Sequence, residues 1–349
     1  MTQGPALALL SAALFGASTP LAKLLLRDID PLMLAGLLYL GSGAGLLTLH
    51  GALWFTRRGA HGEATLRGRQ WLWLALAILF GGIMAPRLLM YGLAGTGAAA
   101  TALLLNLEPI FTVLLAWCVF GEGVDRRIAF GMTAIAAGAL VLSWQGPTAM
   151  GRPLALVAIA AACLLWAIDN NLTRKVSLTD PVRIATLKGC VAGAVNVTVA
   201  LAGGAGFPSP IRMSAAAGLG LVGYGISLVL FVRALREIGA ARTGAYFSLA
   251  PFFGAVLSVT LFAGELSRQL VVAGLLMAVG VWLHLTERHE HEHPHLDVDH
   301  DHSHVHDAHH QHAHSGREPA GEPHSHPHRH RQLVHRHSHF PDIHHQHPH

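Results

Sequence analysis

The sequence predicts an all-α integral membrane protein of ten transmembrane helices, arranged as two inverted five-helix repeats and followed by a disordered histidine-rich tail. Three observations carry this prediction. First, the 349 residues divide into two unlike polymers. Residues 1–286 hold 19 Lys/Arg, 10 Asp/Glu and 3 His, a net of +9, whereas residues 287–349 hold 5 Arg, 10 Asp/Glu and 23 of the 26 histidines. Second, apolar runs long enough to cross a bilayer recur through the first segment. Third, one half of that segment resembles the other. A soluble domain carries about 25% charged residues, and the first segment falls far short of that. This balance excludes a cytosolic enzyme, a secreted disulfide scaffold and a nucleic-acid-binding module. The pI near 9.3 reflects loop arginines rather than a basic face.

A hydrocarbon core about 30 Å thick takes roughly 20 apolar residues at 1.5 Å each. Segments of that kind fall at 5–26, 32–56, 71–92, 97–120, 128–145, 154–173, 183–203, 214–235, 241–263 and 269–286. Short polar connectors such as Arg57–Gln70, Gly121–Arg127 and Gln145–Pro153 separate them. The spans are rich in Ala and Gly, which lets helix backbones approach where lipid supplies no hydrophobic drive to associate. Trp71 and Trp73 stand at the start of the third span as interfacial anchors. Cys118, Cys163 and Cys190 are isolated in apolar stretches and read as small core residues. The apolar stretch from Pro5 has no basic leader and is expected to be a retained first span.

Orientation follows from the connectors, since positive charge stays on the cytoplasmic side. Connectors leading from odd to even spans carry four basic residues, Arg27, Arg152, Arg212 and Arg268. Those leading from even to odd spans carry eleven. The expectation is an inner- or plasma-membrane protein with both termini cytoplasmic.

Two stretches match at a separation of 142–143 residues. One runs from Gly97 to Glu122 and the other from Gly239 to Glu265, with Pro109 aligned to Pro251. A weaker match joins Phe15 to Lys23 with Trp166 to Arg174, each leading to an Asp-Pro pair, Asp30-Pro31 and Asp180-Pro181. The repeats are therefore 1–145 and 150–286, and 287–349 is a separate cytoplasmic tail. Five spans per repeat, an odd number, force the two copies into opposite orientations.

The doubled x-x-L-x-P-x-F segment with its Gly-Glu helix end and Gly-containing last span resembles the EamA domain. Tandem EamA domains characterise the drug/metabolite transporter superfamily. The stretch from Trp166 to Lys175 is similar to the opening helix of the family's second domain. The resemblance implies a secondary transporter working by alternating access, an exporter by family habit, for a small organic solute. The family's substrates include amino acids, sugars, nucleotide-derived compounds and drugs. Two features depart from its pattern: Asp169-Asn170-Asn171, where aromatic or neutral residues are commoner, and the histidine tail.

An ionisable group at mid-bilayer costs at least about 2.5–3.5 kcal/mol on insertion scales, so each one needs a reason. Asp169 and Lys188 lie on adjacent spans at matched depth, roughly 10 Å from the cytoplasmic surface, and are expected to pair. Glu108 and Arg87 differ in depth by about 8 Å, which the arginine only partly bridges. Either these groups form structural pairs that set helix register, or a carboxylate exchanges a proton or contacts substrate. Glu108 is the better candidate for the second role because it precedes Pro109. A proline leaves a backbone carbonyl free and lets the helix kink towards a cavity. Pro251 is expected to kink the other half. Asn106, Asn170, Asn171, Tyr91 and Tyr246 supply hydrogen-bonding groups near these kinks.

The tail alternates histidine with other residues: His289, His291, His293 and His295, then His300, His302, His304 and His306. Further clusters are His324, His326, His328 and His330, and then His335, His337 and His339. Few apolar residues and several prolines leave it unable to fold alone. Neutral imidazole is a good ligand for Zn, Ni, Co or Cu, so many interchangeable moderate sites are expected rather than one structural zinc cage. As a coil, some 60 residues reach roughly 40–45 Å, enough to sweep the cytoplasmic mouth. No nucleotide-binding G-x-x-x-x-G-K-[ST] motif occurs, so an ion or proton gradient is the expected energy source. No cofactor is required and no catalytic constellation is visible. The expected partners are the lipid bilayer, a small-molecule substrate, divalent metal ions at the tail and a second copy in a homodimer, with no nucleic acid. Two other readings are a divalent-metal exporter fed by the tail and a membrane-tethered metal buffer or sensor.

Overall fold

The computed structural model describes residues 3–56, 68–120, 126–143, 152–174, 176, 181–262, 267–286, 290–295, 298–304, 324–330 and 333–338. The first repeat begins with α1 (Gly4–Leu25) and α2 (Pro31–Thr56). Its third span is interrupted: α3 (Gln70–Ala77) passes through a π-helical turn (Ile78–Met84) into α4 (Ala85–Gly95). The fourth is broken into α5 (Ala98–Leu104) and α6 (Leu107–Phe120), and α7 (Arg126–Ser143) closes the repeat. The second repeat runs α8 (Arg152–Arg174), α9 (Pro181–Ala202) and α10 (Pro210–Gly220). A second π-turn (Leu221–Ile226) leads to α11 (Ser227–Phe247), followed by α12 (Ala250–Leu261) and α13 (Arg268–Leu285).

Local chemistry explains several of these boundaries. Asp30 Oδ1 accepts from the backbone N–H of Leu32 and Met33 at 2.9 and 3.1 Å, with Pro31 in the first helical position. An acidic N-cap followed by proline starts a helix at low cost. Ser267 caps α13 in the same way, accepting from Leu270 N at 3.1 Å. A proline clashes with the carbonyl four residues before it. For Pro109 that residue is Leu105, where α5 gives way to α6, and for Pro251 it is Phe247, where α11 ends.

The helices exchange partners between repeats. The first helix of one repeat packs on the third and fourth spans of the other: α1 lies against α11, the second π-turn and α12, while α8 lies against α4, the first π-turn and α6. The equivalent pairs α2 with α9 and α7 with α13 pack on each other. This reciprocity is what two copies of one plan produce. The α2–α9 crossing is close because it is lined with glycine: a Cβ on Gly189 would lie 2.7 Å from Gly43 Cα. Small residues at such crossings give helices the van der Waals contact that holds them together in lipid.

Three expectations require correction. Six apolar segments are long enough to cross a membrane, from Gly4–Leu25 to Pro210–Ala234, and four further apolar helices are shorter. Ten full-length spans are thus not what the described residues display: breaks before Pro109 and Pro251 divide the fourth and ninth, and Ala129–Leu142 and Arg268–Leu283 are shorter apolar stretches. The connector expected at 236–240 is helical, since α11 continues to Phe247. The Glu237–Arg242 stretch is rich in good helix formers and lacks the extended Thr96-Gly97 backbone that opens the first repeat at the matching place. Finally, the tail expected to be disordered contains β1 (Glu290–His295), β2 (Val298–His304), β3 (His324–His330) and β4 (Leu333–Ser338). β1 pairs antiparallel with β4, and β2 with β3. Alternation with a period of two is also the side-chain period of a strand, so the repeated His-x-His pattern is compatible with a ladder.

Candidate functional site

The polar groups of the spans converge on the first π-turn, where the repeats meet. Pro86 lies four and five residues beyond Gly82 and Gly81 and has no N–H to offer either carbonyl. Side chains from other helices fill the vacancy. Tyr39 Oη on α2 donates to Gly81 O at 2.9 Å, and Trp166 Nε1 on α8 donates to the same oxygen at 3.0 Å. Asn196 Nδ2 on α9 donates to Gly82 O at 3.1 Å. Three helices are thereby tied to one irregular turn.

Asp169 on α8 and Lys188 on α9 form the expected ion pair beside this turn. Asp169 is buried, and its second oxygen accepts from Thr173 Oγ1 at 3.0 Å. Gly81 makes room for the carboxylate: a Cβ there would run into Asp169 Oδ2. The lysine stem crosses Gly82, with Lys188 Cγ 3.5 Å from where a Cβ would stand. Both glycines are therefore required by close approach, not by an unusual φ.

Glu108 and Arg87 do not pair. Glu108 sits in the first turn of α6 and accepts from Asn170 Nδ2 at 2.8 Å. Arg87 Nε instead donates to Asn196 Oδ1 at 2.6 Å. The depth mismatch visible in the sequence accounts for this, since each charge takes the nearer amide. The other residues singled out by sequence divide clearly. Asn106 is buried and donates to Leu103 O at 3.0 Å and towards Met277 Sδ at 3.9 Å, an interhelical contact at the α5–α6 break. Asn171 bonds Ala167 O at 2.9 Å and Thr112 O at 3.4 Å, joining α8 to α6. Tyr91, on α4, is 49% exposed. Tyr246 is half-buried beside the α11–α12 break.

An aromatic group continues the cluster towards the second π-turn. Tyr39 and Tyr224 lie 5.8 Å apart between ring centres, Tyr224 meets Phe15 at 5.7 Å, and Phe15 meets Phe247 at 5.4 Å. The arrangement is a charged and amide-rich pole at one π-turn joined to an aromatic pole at the other. Asn196, Tyr39 and Trp166 were not among the residues expected here. A buried Asn in the middle of a span is flagged by the same rule that flagged Asp169. Pro86 inside the third span was the missed signal for open carbonyls.

In the tail, His291, His293 and His295 fall on β1, His300, His302 and His304 on β2, His324, His326, His328 and His330 on β3, and His335 and His337 on β4. His289, His306 and His339 lie outside the described residues, as do Glu122 and Glu265. Among the described residues no group of three or more His, Cys, Asp or Glu side chains is placed to hold a metal.

The model of the EamA-like transporter family matches residues 2–144 and again 153–286. The chain belongs to the EamA-like transporter family. As an EamA-like protein it is an integral membrane transporter. It is 29% identical over 282 residues to an uncharacterized transporter of Methanothermobacter thermautotrophicus (strain Delta H), covering 77% of this chain and 82% of that protein. A crystal structure of a protein 19% identical to it superposes with a TM-score of 0.60, covering 81% of this chain and 95% of that one. That likeness concerns the fold alone. The second EamA match ends at Thr286, and the histidine-rich residues follow it in the sequence.

Proposed function

We propose that this EamA-like protein is a secondary exporter of a small organic solute, cycling between two states in which the repeats exchange conformations. The observation that carries the reading is the Asp169–Lys188 pair beside the first π-turn, with neighbouring Asn170 bonded to Glu108 of the other repeat. Charged groups in a span are costly and face a cavity or each other. Here they stand at the breaks where the backbone can rearrange. Glu108 is the proposed coupling residue: its single amide partner is released by a small shift of α8 against α6. Asp169 and Lys188 are the proposed substrate or coupling-ion contacts, and Arg87 and Asn170 lie within reach of the same region. The exporter is proposed to sit in the inner or plasma membrane with both termini cytoplasmic, energised by a proton or ion gradient, and to work alone or as a homodimer.

The tail is proposed to bind Zn, Ni, Co or Cu at the cytoplasmic mouth, on the strength of its 23 histidines. The same feature favours a second reading, in which divalent metal is the cargo. The experiment is counterflow of candidate solutes in proteoliposomes, with Glu108→Gln and Asp169→Asn tested singly. Coupling at a carboxylate predicts that one amide variant keeps exchange but loses its pH dependence. Unchanged transport and pH profile in both variants would remove the carboxylates from the mechanism. Deleting 287–349 separates the cargo readings: solute transport survives the deletion, whereas tail-fed metal efflux does not.

A further inference from the structure

Arg87 has a donor that the site does not use. Its Nη2 is buried and, among the described residues, is the buried side-chain nitrogen without a hydrogen-bond partner. The guanidinium cannot swing away to find one. Nε is held at 2.6 Å by Asn196 Oδ1, Asn196 is fully buried, and its Nδ2 is anchored 3.1 Å from Gly82 O. The plane of the guanidinium is therefore braced through Asn196 to the π-turn. The carboxylates nearby are committed elsewhere, Asp169 to Lys188 and Glu108 to Asn170.

The architecture does not need this pair. The second repeat builds the same π-turn 143 residues later, and there the place of Arg87 is taken by Leu230. Counting from the Pro31 and Pro181 helix starts, the place of Asn196 is taken in the first repeat by Leu46, which is fully buried. Apolar residues thus serve the fold at both equivalent positions. A positive charge inside a span, oriented by a second side chain and left with Nη2 unpartnered, suits the charge-assisted hydrogen bonding of an oxyanion.

We propose that Arg87, braced by Asn196, forms a subsite for a carboxylate or phosphate group, brought either by a soluble solute or by a lipid headgroup. Binding is measured without any gradient, so its failure leaves the transport reading standing. The full-length protein is placed in nanodiscs of zwitterionic lipid and its unfolding midpoint followed against inorganic phosphate and against succinate. A parallel series replaces part of the lipid with phosphatidylglycerol. A saturable rise in midpoint is expected in one arm, and that arm identifies the source. Arg87→Leu, which installs the residue of the other repeat, is expected to weaken the apparent affinity at least about tenfold. Asn196→Leu keeps the charge but removes the brace, and is expected to do the same. Should Arg87→Leu fail to fold, Arg87→Lys keeps the charge without the fork, and unchanged affinity in that variant overturns the proposal. So does the absence of any shift in all arms, or an equal shift in wild type and Arg87→Leu.

Discussion

Gly81 concentrates the demands that single residues meet in this protein. Its carbonyl takes two donors, and its missing Cβ leaves the space that Asp169 occupies. Gly81→Ala therefore forces the carboxylate out of its place, and overpacking of this kind costs about 1–3 kcal/mol. The ion pair itself is more sensitive to the loss of one partner than of both. Lys188→Met strands a buried carboxylate and is expected to cost about 3–5 kcal/mol, whereas the double change with Asp169→Leu recovers most of it. Unfolding midpoints in detergent distinguish these outcomes. Equal losses in the single and double variants would show that the pair acts through packing and not through charge. Trp166→Phe removes one of the two donors on Gly81 O and is expected to cost about 1 kcal/mol.

At the scale of elements, irregularities occur in matched pairs. The π-turns fall at Ile78–Met84 and Leu221–Ile226, and the breaks before Pro109 and Pro251 fall at corresponding positions. Each π-turn packs against the first helix of the opposite repeat, but the contents differ. Asp169 presses on Gly81, whereas Ser18, its counterpart in the weaker repeat match, presses on Gly223. The Asp169–Lys188 charges thus lie at one turn and the Tyr224–Phe15–Phe247 rings towards the other. Pro109→Ala supplies the missing N–H and allows α5 and α6 to join into one helix. The expected result is a protein that folds normally yet transports at least about tenfold more slowly, because the break is lost while the packing stays. Hydrogen exchange of the amide introduced at position 109, which would donate to Leu105 O, reports the joining directly: its protection should accompany the loss of transport.

For the whole molecule, the contact of α2 with α9 decides whether the repeats assemble. Gly43 and Gly189 face each other across it with no space for a side chain. Gly189→Leu is expected to separate the helices and abolish assembly, seen as loss of a monodisperse peak in detergent. The same substitution at Gly218, where nothing stands within 4 Å of an added Cβ, is expected to be tolerated.

Much of this was written in the sequence because lipid makes composition and period decisive. Apolar length marked the spans, and Asp-Pro and Pro marked helix starts and breaks. Asp169 with Lys188 was legible because charge in a span is costly and the two lie on adjacent spans at matched depth. Tertiary structure alone decided the rest. Arg87 chose Asn196 over Glu108 because a partner is selected by distance in space, and the π-turn that sets that distance has no signature in hydropathy. Whether Glu237–Arg242 continues a helix, and which carbonyls Pro86 leaves open to Tyr39, Trp166 and Asn196, likewise depend on neighbours far away in the chain.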